Sequence, residues 1–564
     1  MMKGPEFAAD PPDMQRLSAL YTGWRAAAAG DSEQEALDAV RDWDAERRRV
    51  QTWMSLCTLR FRQDTTNADN KAALEHCDEL SPAFRELEVD LQRALIASPS
   101  RAAIERAFGG QAFALWSANV AGFDPAIQDD LRAESKLVNE YVELLAGARI
   151  PFDGQELNLS EMQARRTVAS RSARHAADKA YWGWFGDNAK ALDDGFDALV
   201  GVRTRMARSV GEPDYVSLGY LNRSRIGYDR ADVERFRGEV LKEVVPLAVE
   251  LRKRQAAALD LPPDGLMAWD EAVHDPAGNP APAGDHDWMM DRASAMFEAL
   301  HPDLSAFFEM MRSRELLDLK ARKGKAGGGF CTAFEEHGVP FVFANFNGTK
   351  GDVEVFTHEC GHAFQGWSSR NVPLVDYFFP TYEGAEVHSM SLEFLTYPEM
   401  ERFFSPAEEA DRFRRLHLIE SLLFLPYGCA VDDFQHRVYS ASAASAASAA
   451  ERRQMWLDVE ATWLPWRQWG DLAHPAAGGR WQAQRHIYVY PFYYIDYVLA
   501  QTCALQFWAW SERDRAAALD AYVALCSRGG QQPFQELVRS AGLRSPFEQG
   551  CLAETVARAR AALL

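Results

Sequence analysis

VEVFTHECGHAFQGW, residues 353–367, is the stretch on which both the fold and the chemistry of this chain turn. At its centre stands His358–Glu359–Cys360–Gly361–His362, an HExxH. On a helix, residues four apart share a face, so both imidazoles can address one metal ion. Glu359 lies beside the first histidine, within reach of a water at that metal as a general base. With 13 His in 564 residues, a chance match is expected on the order of 0.02 times, so coincidence explains the motif poorly. Val353, Val355 and Phe356 before it, and Ala363, Phe364 and Trp367 after it, read as the apolar side of a packed helix.

Two histidines leave a catalytic zinc site incomplete, because such sites usually take three protein ligands and keep one position open. An extended HExxHxxGxxH motif would need Gly at 365 and His at 368; Gln365 and Ser368 stand there instead. The third ligand is therefore sought downstream, at Asp376 or in YEGAEVHSMSLEFL (382–395). Glu386 and Glu393 are seven apart and share a helical face, so one can bind metal while the other braces a ligand histidine. Glu383 and His388 are alternatives to either. Upstream, Gly327–Gly328–Gly329 precedes FCTAF (330–334), and His337–Gly338 separates it from PFVFANF (340–346). These short aromatic runs read as two strands joined by a turn.

Further out, the chain reads mostly helical. Asp31–Ser32 caps a predicted long helix that runs to Gln63, with further helices over 67–97 and 124–146 as antiparallel partners. Residues 147–159 form a candidate joint, and Ser160 is expected to cap a helix running to Ala177. This divides the chain into an N-terminal helical region, 1–150, and a larger region, 151–564, that carries the small sheet at about 327–347. Residues 262–284, rich in Pro, Gly and Asp, read as an exposed connection, and the Ala/Ser tract 440–450 as a small-residue helix or linker. Apolar residues are 47% and the net charge is −21. That is globular composition, and the acidic balance opposes binding of a nucleic-acid backbone. The eight cysteines form no CxxC pair and are expected as free thiols in a reducing, cytoplasmic compartment. The first residues carry no apolar h-region, so no secretory leader is expected. The apolar stretch 487–510 is broken by Pro491, Asp496, Gln501 and Gln506, which predicts a buried helix beside a polar site rather than a membrane span.

HECGH followed by EVHSMSLE (386–393) resembles the thimet oligopeptidase and oligoendopeptidase F family of zinc peptidases, most nearly its shorter bacterial Pz-peptidase-type members. RELLDLKARKGKAGGGFCTAF (314–334), PFVFANFNGT (340–349) and RHIYVYPFYYIDY (485–497) carry the likeness further, over most of the last 400 or so residues. The family pattern places a Glu about two dozen residues after HExxH, in E-x-x-S-x-x-x-E. The resemblance thus implies His358, His362 and Glu386 as ligands of one zinc ion, with Glu393 behind them. Cys360 replaces the bulkier residue usual there and puts a thiol beside the metal. The likeness also implies a late His/Tyr cluster holding the oxyanion: His486, Tyr494 and Tyr497, with Tyr490 or Tyr493. Tyrosine hydroxyls are suitable donors for that task, and Tyr490, Tyr494 and Tyr497 recur at helical spacing. Finally, Gly329, Phe330, Cys331 and Thr332 match the strand beside the metal, whose edge can take a peptide as an extra strand.

These readings together predict a mainly α metallopeptidase with a small sheet beside the HExxH helix, and the resemblance implies a deep channel between two helical halves. Its substrates are expected to be short unfolded peptides cut at internal bonds, with no nucleic-acid or membrane partner. A dipeptidyl carboxypeptidase on the same zinc chemistry and a non-catalytic peptide-binding scaffold are the rival expectations.

Overall fold

The computed structural model describes residues 2–440 and 447–564. Helices dominate, and local capping explains where several begin. Ser32 accepts the Glu35 amide to start Glu33–Gln63, and Asn67 accepts those of Asp69 and Asn70 to start Ala68–Ile96. These two pack with Met14–Ala29 around Leu17, Tyr21, Trp43 and Trp116. The same core takes in Leu374, Val375, Tyr377 and Phe378 from far along the chain. Polar contacts fix that docking: Arg47 meets Asp376 at 2.6 Å, and Asp44 accepts the Val375 amide at 2.6 Å. The N-terminal helices therefore grip the segment that leads directly into the helix Tyr382–Leu395.

The predicted joint at 147–159 is a hairpin of β1 (Ile150–Phe152) and β2 (Gln155–Leu157). The expected Ser160-capped helix does not run to Ala177. Asn158 caps Leu159–Arg166 instead, and Ser170 caps a separate helix, Arg171–Asp187. The break is held by buried Arg174, which donates to the carbonyls of Val168 and Ala169 at 2.9 and 2.7 Å. Apart from the turn Ala268–Asp270, residues 262–284 are irregular, as their composition predicts, but they are not exposed throughout: Leu266, Trp269 and Val273 are buried, and Asp270 is buried against Arg171 and Arg174. Of the Ala/Ser tract, 441–446 lie outside the described residues. Ser448 caps the next helix, Ala449–Trp463.

A three-stranded sheet stands before the motif helix. β4 (Phe330–Phe334) pairs antiparallel with β5 (Val339–Phe346) in the register Phe330–Phe343 to Phe334–Val339. β3 (Leu317–Lys320) joins the other side of β5 in parallel. The order β3-β5-β4 leaves β4 at an edge.

HECGH lies in the helix Lys350–Ser368, which crosses Tyr382–Leu395 closely at Gly361. A Cβ at Gly361 would stand 2.5 Å from the Ser389 Cα and 2.7 Å from the His388 carbonyl oxygen. Only glycine allows that approach. The buried helix Tyr494–Ser511 packs on Tyr382–Leu395 from its other side. Among the described residues no helix is long and apolar enough to cross a membrane.

Candidate active site

Because the two helices meet backbone to backbone at Gly361, Glu386 comes within reach of both motif histidines. Its Oε2 lies 3.3 Å from His358 Nε2 and 3.4 Å from His362 Nε2. Ligands about 2.0–2.1 Å from a tetrahedral ion stand about 3.3–3.4 Å from one another, so this donor set fits zinc. The three ligand atoms all lie within 4.8 Å. The alternatives are not grouped with the histidines and hold other partners. Glu383 accepts the Tyr228 hydroxyl at 3.1 Å, His388 donates to the Gly384 carbonyl at 2.7 Å, and Asp376 is paired with Arg47.

Behind the ligands, Glu393 accepts from His358 Nδ1 at 2.7 Å and from His417 Nε2 at 2.6 Å. Tyr397 reaches the far nitrogen of His417 at 2.7 Å. Such partners fix the tautomer and ring orientation of a ligand histidine. Burial alone would push Glu393 up, but the hydrogen bonds and charges of His358 and His417 carry it down to about 2. Glu386 responds in the same way: burial opposes its charge, and the two histidines more than reverse that, holding it well below the usual range. Ser389 Oγ donates to Glu386 Oε2 at 3.0 Å, and the Tyr493 hydroxyl to Oε1 at 2.5 Å.

A cavity of about 700 Å³ opens over this centre. Glu359 lies on its wall, and burial raises its carboxyl above the ordinary value despite the nearby histidines. A base shifted toward neutrality is suited to taking and returning a proton. The N-terminal end of β4 forms another wall through Gly329, Phe330 and Cys331; Thr332 lies further along the strand, away from the wall. Cys360, by contrast, is fully buried beneath the motif, and desolvation raises its thiol well above the usual range. Gln51, Leu115 and Asn119 of the N-terminal helices line the cavity as well.

The late cluster is not one continuous helical face. A short helix, Arg485–Val489, ends before Tyr490, and a turn at Phe492 with φ +63° separates it from Tyr494–Ser511. Three contacts hold that strained turn. Gln435 accepts the Phe492 amide at 2.8 Å, Arg225 donates to the Phe492 carbonyl, and the Phe492 ring fills the space beside Gly219. In consequence Tyr493 and Tyr497 line the cavity, whereas Tyr490 is 42% exposed and Tyr494 packs against Phe424 and Tyr427. Of Tyr490 and Tyr493, the latter meets Glu386. His486 stands among all four rings, 4.9 Å from Tyr494 and 6.0 Å from Tyr497. Burial, then Arg485 and Arg223, lowers it to about 4, so its imidazole is neutral near pH 7.

Two histidines closed by a buried glutamate, with an acid on the cavity wall and a strand edge beside it, define a metallopeptidase on a helical scaffold. Comparison with known proteins narrows the class. The Peptidase M3 N-terminal domain matches residues 5–123, and Peptidase family M3 matches 295–556. A structure of a protein described as oligoendopeptidase F is 42% identical with TM-score 0.94, covering 100% of this chain and 99% of its own. Pz peptidase A, solved with an inhibitor, is 40% identical with TM-score 0.92 and coverage of 99% and 98%. A protein described as oligoendopeptidase F from Bacillus anthracis str. Ames is 39% identical with TM-score 0.89 and coverage of 100% and 98%. None of the curated proteins compared matches this chain. The chain belongs to peptidase family M3, a family of zinc-dependent metallopeptidases, and is an oligopeptidase.

Proposed function

We propose that this chain cuts internal bonds of short unfolded peptides at a single zinc ion held by His358, His362 and Glu386. The observation that carries the assignment is the spacing of Glu386 Oε2 from both histidine nitrogens, 3.3 and 3.4 Å. Zinc held there supplies Lewis-acid polarisation of the scissile carbonyl and of a water. β4 binds the substrate along its edge, through Gly329, Phe330 and Cys331, by main-chain hydrogen bonds that read no particular side chain. Glu359 accepts the proton of the attacking water and delivers it to the leaving amine. Tyr497 donates its hydroxyl to the developing oxyanion, and His486 orients the tyrosines around it. Tyr493 holds Glu386, and Glu393 with His417 holds His358. Residues 1–150 act as the facing wall of the cleft, a role supported by Gln51, Leu115 and Asn119. The free cysteines support a reducing, cytoplasmic setting, and the charge of −21 supports the absence of a nucleic-acid partner.

Digestion of a mixed peptide library by the purified chain, read by mass spectrometry, tests this function. Internal cuts are expected, lost on chelation and restored by stoichiometric zinc. Cleavage that persists in chelator, or none with zinc restored, contradicts it.

A further inference from the structure

Beside the cavity, Arg223 has no anionic partner among the described residues. Arg223 is half-buried, and its guanidinium lies 5.1 Å from the ring centre of Tyr382, 5.4 Å from that of Tyr493 and 5.9 Å from that of Tyr490. Tyr382 and Tyr493 line the cavity, as does the adjacent Ser224. The Arg223 Nε donates to the Pro491 carbonyl at 3.3 Å, but its terminal nitrogens meet no acceptor among the described residues. Cation–π contact with these rings leaves the terminal N–H groups free to donate. The nearby carboxylates are already engaged. Asp496 is fully buried against Arg225 at 2.9 Å, and Glu386 is held by the histidines and Tyr493. Arg485, next to His486, is exposed and likewise has no acidic partner among the described residues. In a chain of net charge −21, this is a local positive site directly behind Ser224, Tyr382 and Tyr493 of the cavity wall.

The rings around it add to that site. Tyr382 and Tyr490 are 44% and 42% exposed, two of the few large apolar side chains left open to solvent. Tyrosines flanking a free guanidinium form a frame for a planar anion with an apolar neighbour, which describes a peptide carboxylate. Resting on the peptidase reading above, we propose that Arg223 is a specificity-determining residue that binds a substrate carboxylate close to the cleaved bond. The carboxylate is either the peptide's own C-terminus or an Asp or Glu side chain; both offer two acceptor oxygens to the guanidinium fork.

The test uses paired peptides and the full-length zinc enzyme. One arm compares each peptide as C-terminal acid and as C-terminal amide. The other compares Glu with Gln at each position flanking a mapped cut. In one arm the carboxylate form is expected to have a kcat/KM about tenfold or more above its neutral twin, mostly through KM, as for a charge-assisted hydrogen bond. The responding arm identifies the source of the carboxylate. Arg223→Gln is expected to bring that ratio toward one, Arg223→Lys to restore part of it, and Arg223→Glu to shift preference toward a Lys-bearing twin. A merely structural arginine would not yield this reversal. Ratios near one in both arms of the wild type overturn the proposal without any variant, and so does a ratio that survives in Arg223→Gln. Failure of the wild type to cut any peptide would instead count against the peptidase reading.

Discussion

Glu383 and Glu386 sit on one buried helix a single turn apart, yet only Glu386 faces the histidines, while Glu383 meets Tyr228. Glu386→Ala is therefore expected to lose zinc, with an affinity loss beyond the 10–100-fold that is typical when an outer partner is removed. Glu383→Ala is expected to keep zinc; metal analysis of both purified variants decides. Tyr494 and Tyr497 divide similarly. Tyr497→Phe is expected to lower kcat by roughly 10²–10³ with little change in KM, the scale of one lost oxyanion donor. Tyr494→Phe, whose ring packs against Phe424 and Tyr427, is expected to keep kcat. The motif histidines were legible because helical spacing alone puts them together. Glu386 was singled out from Asp376, Glu383, His388 and Glu393 only by the family resemblance, through the pattern that Ser389 and Glu393 complete. His417 has no such spacing to either ligand histidine: it reaches Glu393 from another helix, and no local pattern announces that contact.

The helix pair that crosses at Gly361 carries the metal geometry. Gly361→Ala would drive a methyl group into the Ser389 backbone, which stands 2.5 Å from that Cβ position. The helices must part, so a stability loss of about 1–3 kcal/mol, the usual cost of overpacking, is expected together with weaker zinc binding. Thermal melting with and without zinc measures both; an unchanged zinc affinity would show that the helix contact does not set the ligand spacing. Helix starts at Ser32 and Asn67 were readable because an N-cap is a local hydrogen bond. β3 was not, since its four residues gain strand form only by parallel pairing with β5. The turn at Phe492 was hidden for a similar reason. Its left-handed backbone costs of order 1–3 kcal/mol, offset by Gln435 and Arg225, which lie far away in sequence. Helical spacing puts Tyr490, Tyr494 and Tyr497 on one face only if the helix is unbroken, and Pro491, which can start or kink a helix, marks where it breaks.

Across the whole molecule, the N-terminal helices hold the segment 374–378, and the late tyrosine helix packs on the helix that follows it, Tyr382–Leu395. The Arg47–Asp376 and Asp44–Val375 contacts anchor 374–378, and Glu386 follows in the next helix. The cavity of about 700 Å³ between these parts accommodates an extended peptide rather than a folded domain. The donor set His358, His362 and Glu386, the Glu359 carboxyl and the end of β4 meet there, and in the proposed mechanism Glu359 moves the proton at a zinc that those three residues would hold. Glu359→Gln keeps size and hydrogen bonding but cannot take up that proton. The direct measurement is zinc content and peptide turnover on the same preparation of this variant. Full zinc occupancy with turnover reduced by roughly 10²–10⁴-fold or more is the predicted result. Near wild-type turnover with zinc fully bound would contradict the account.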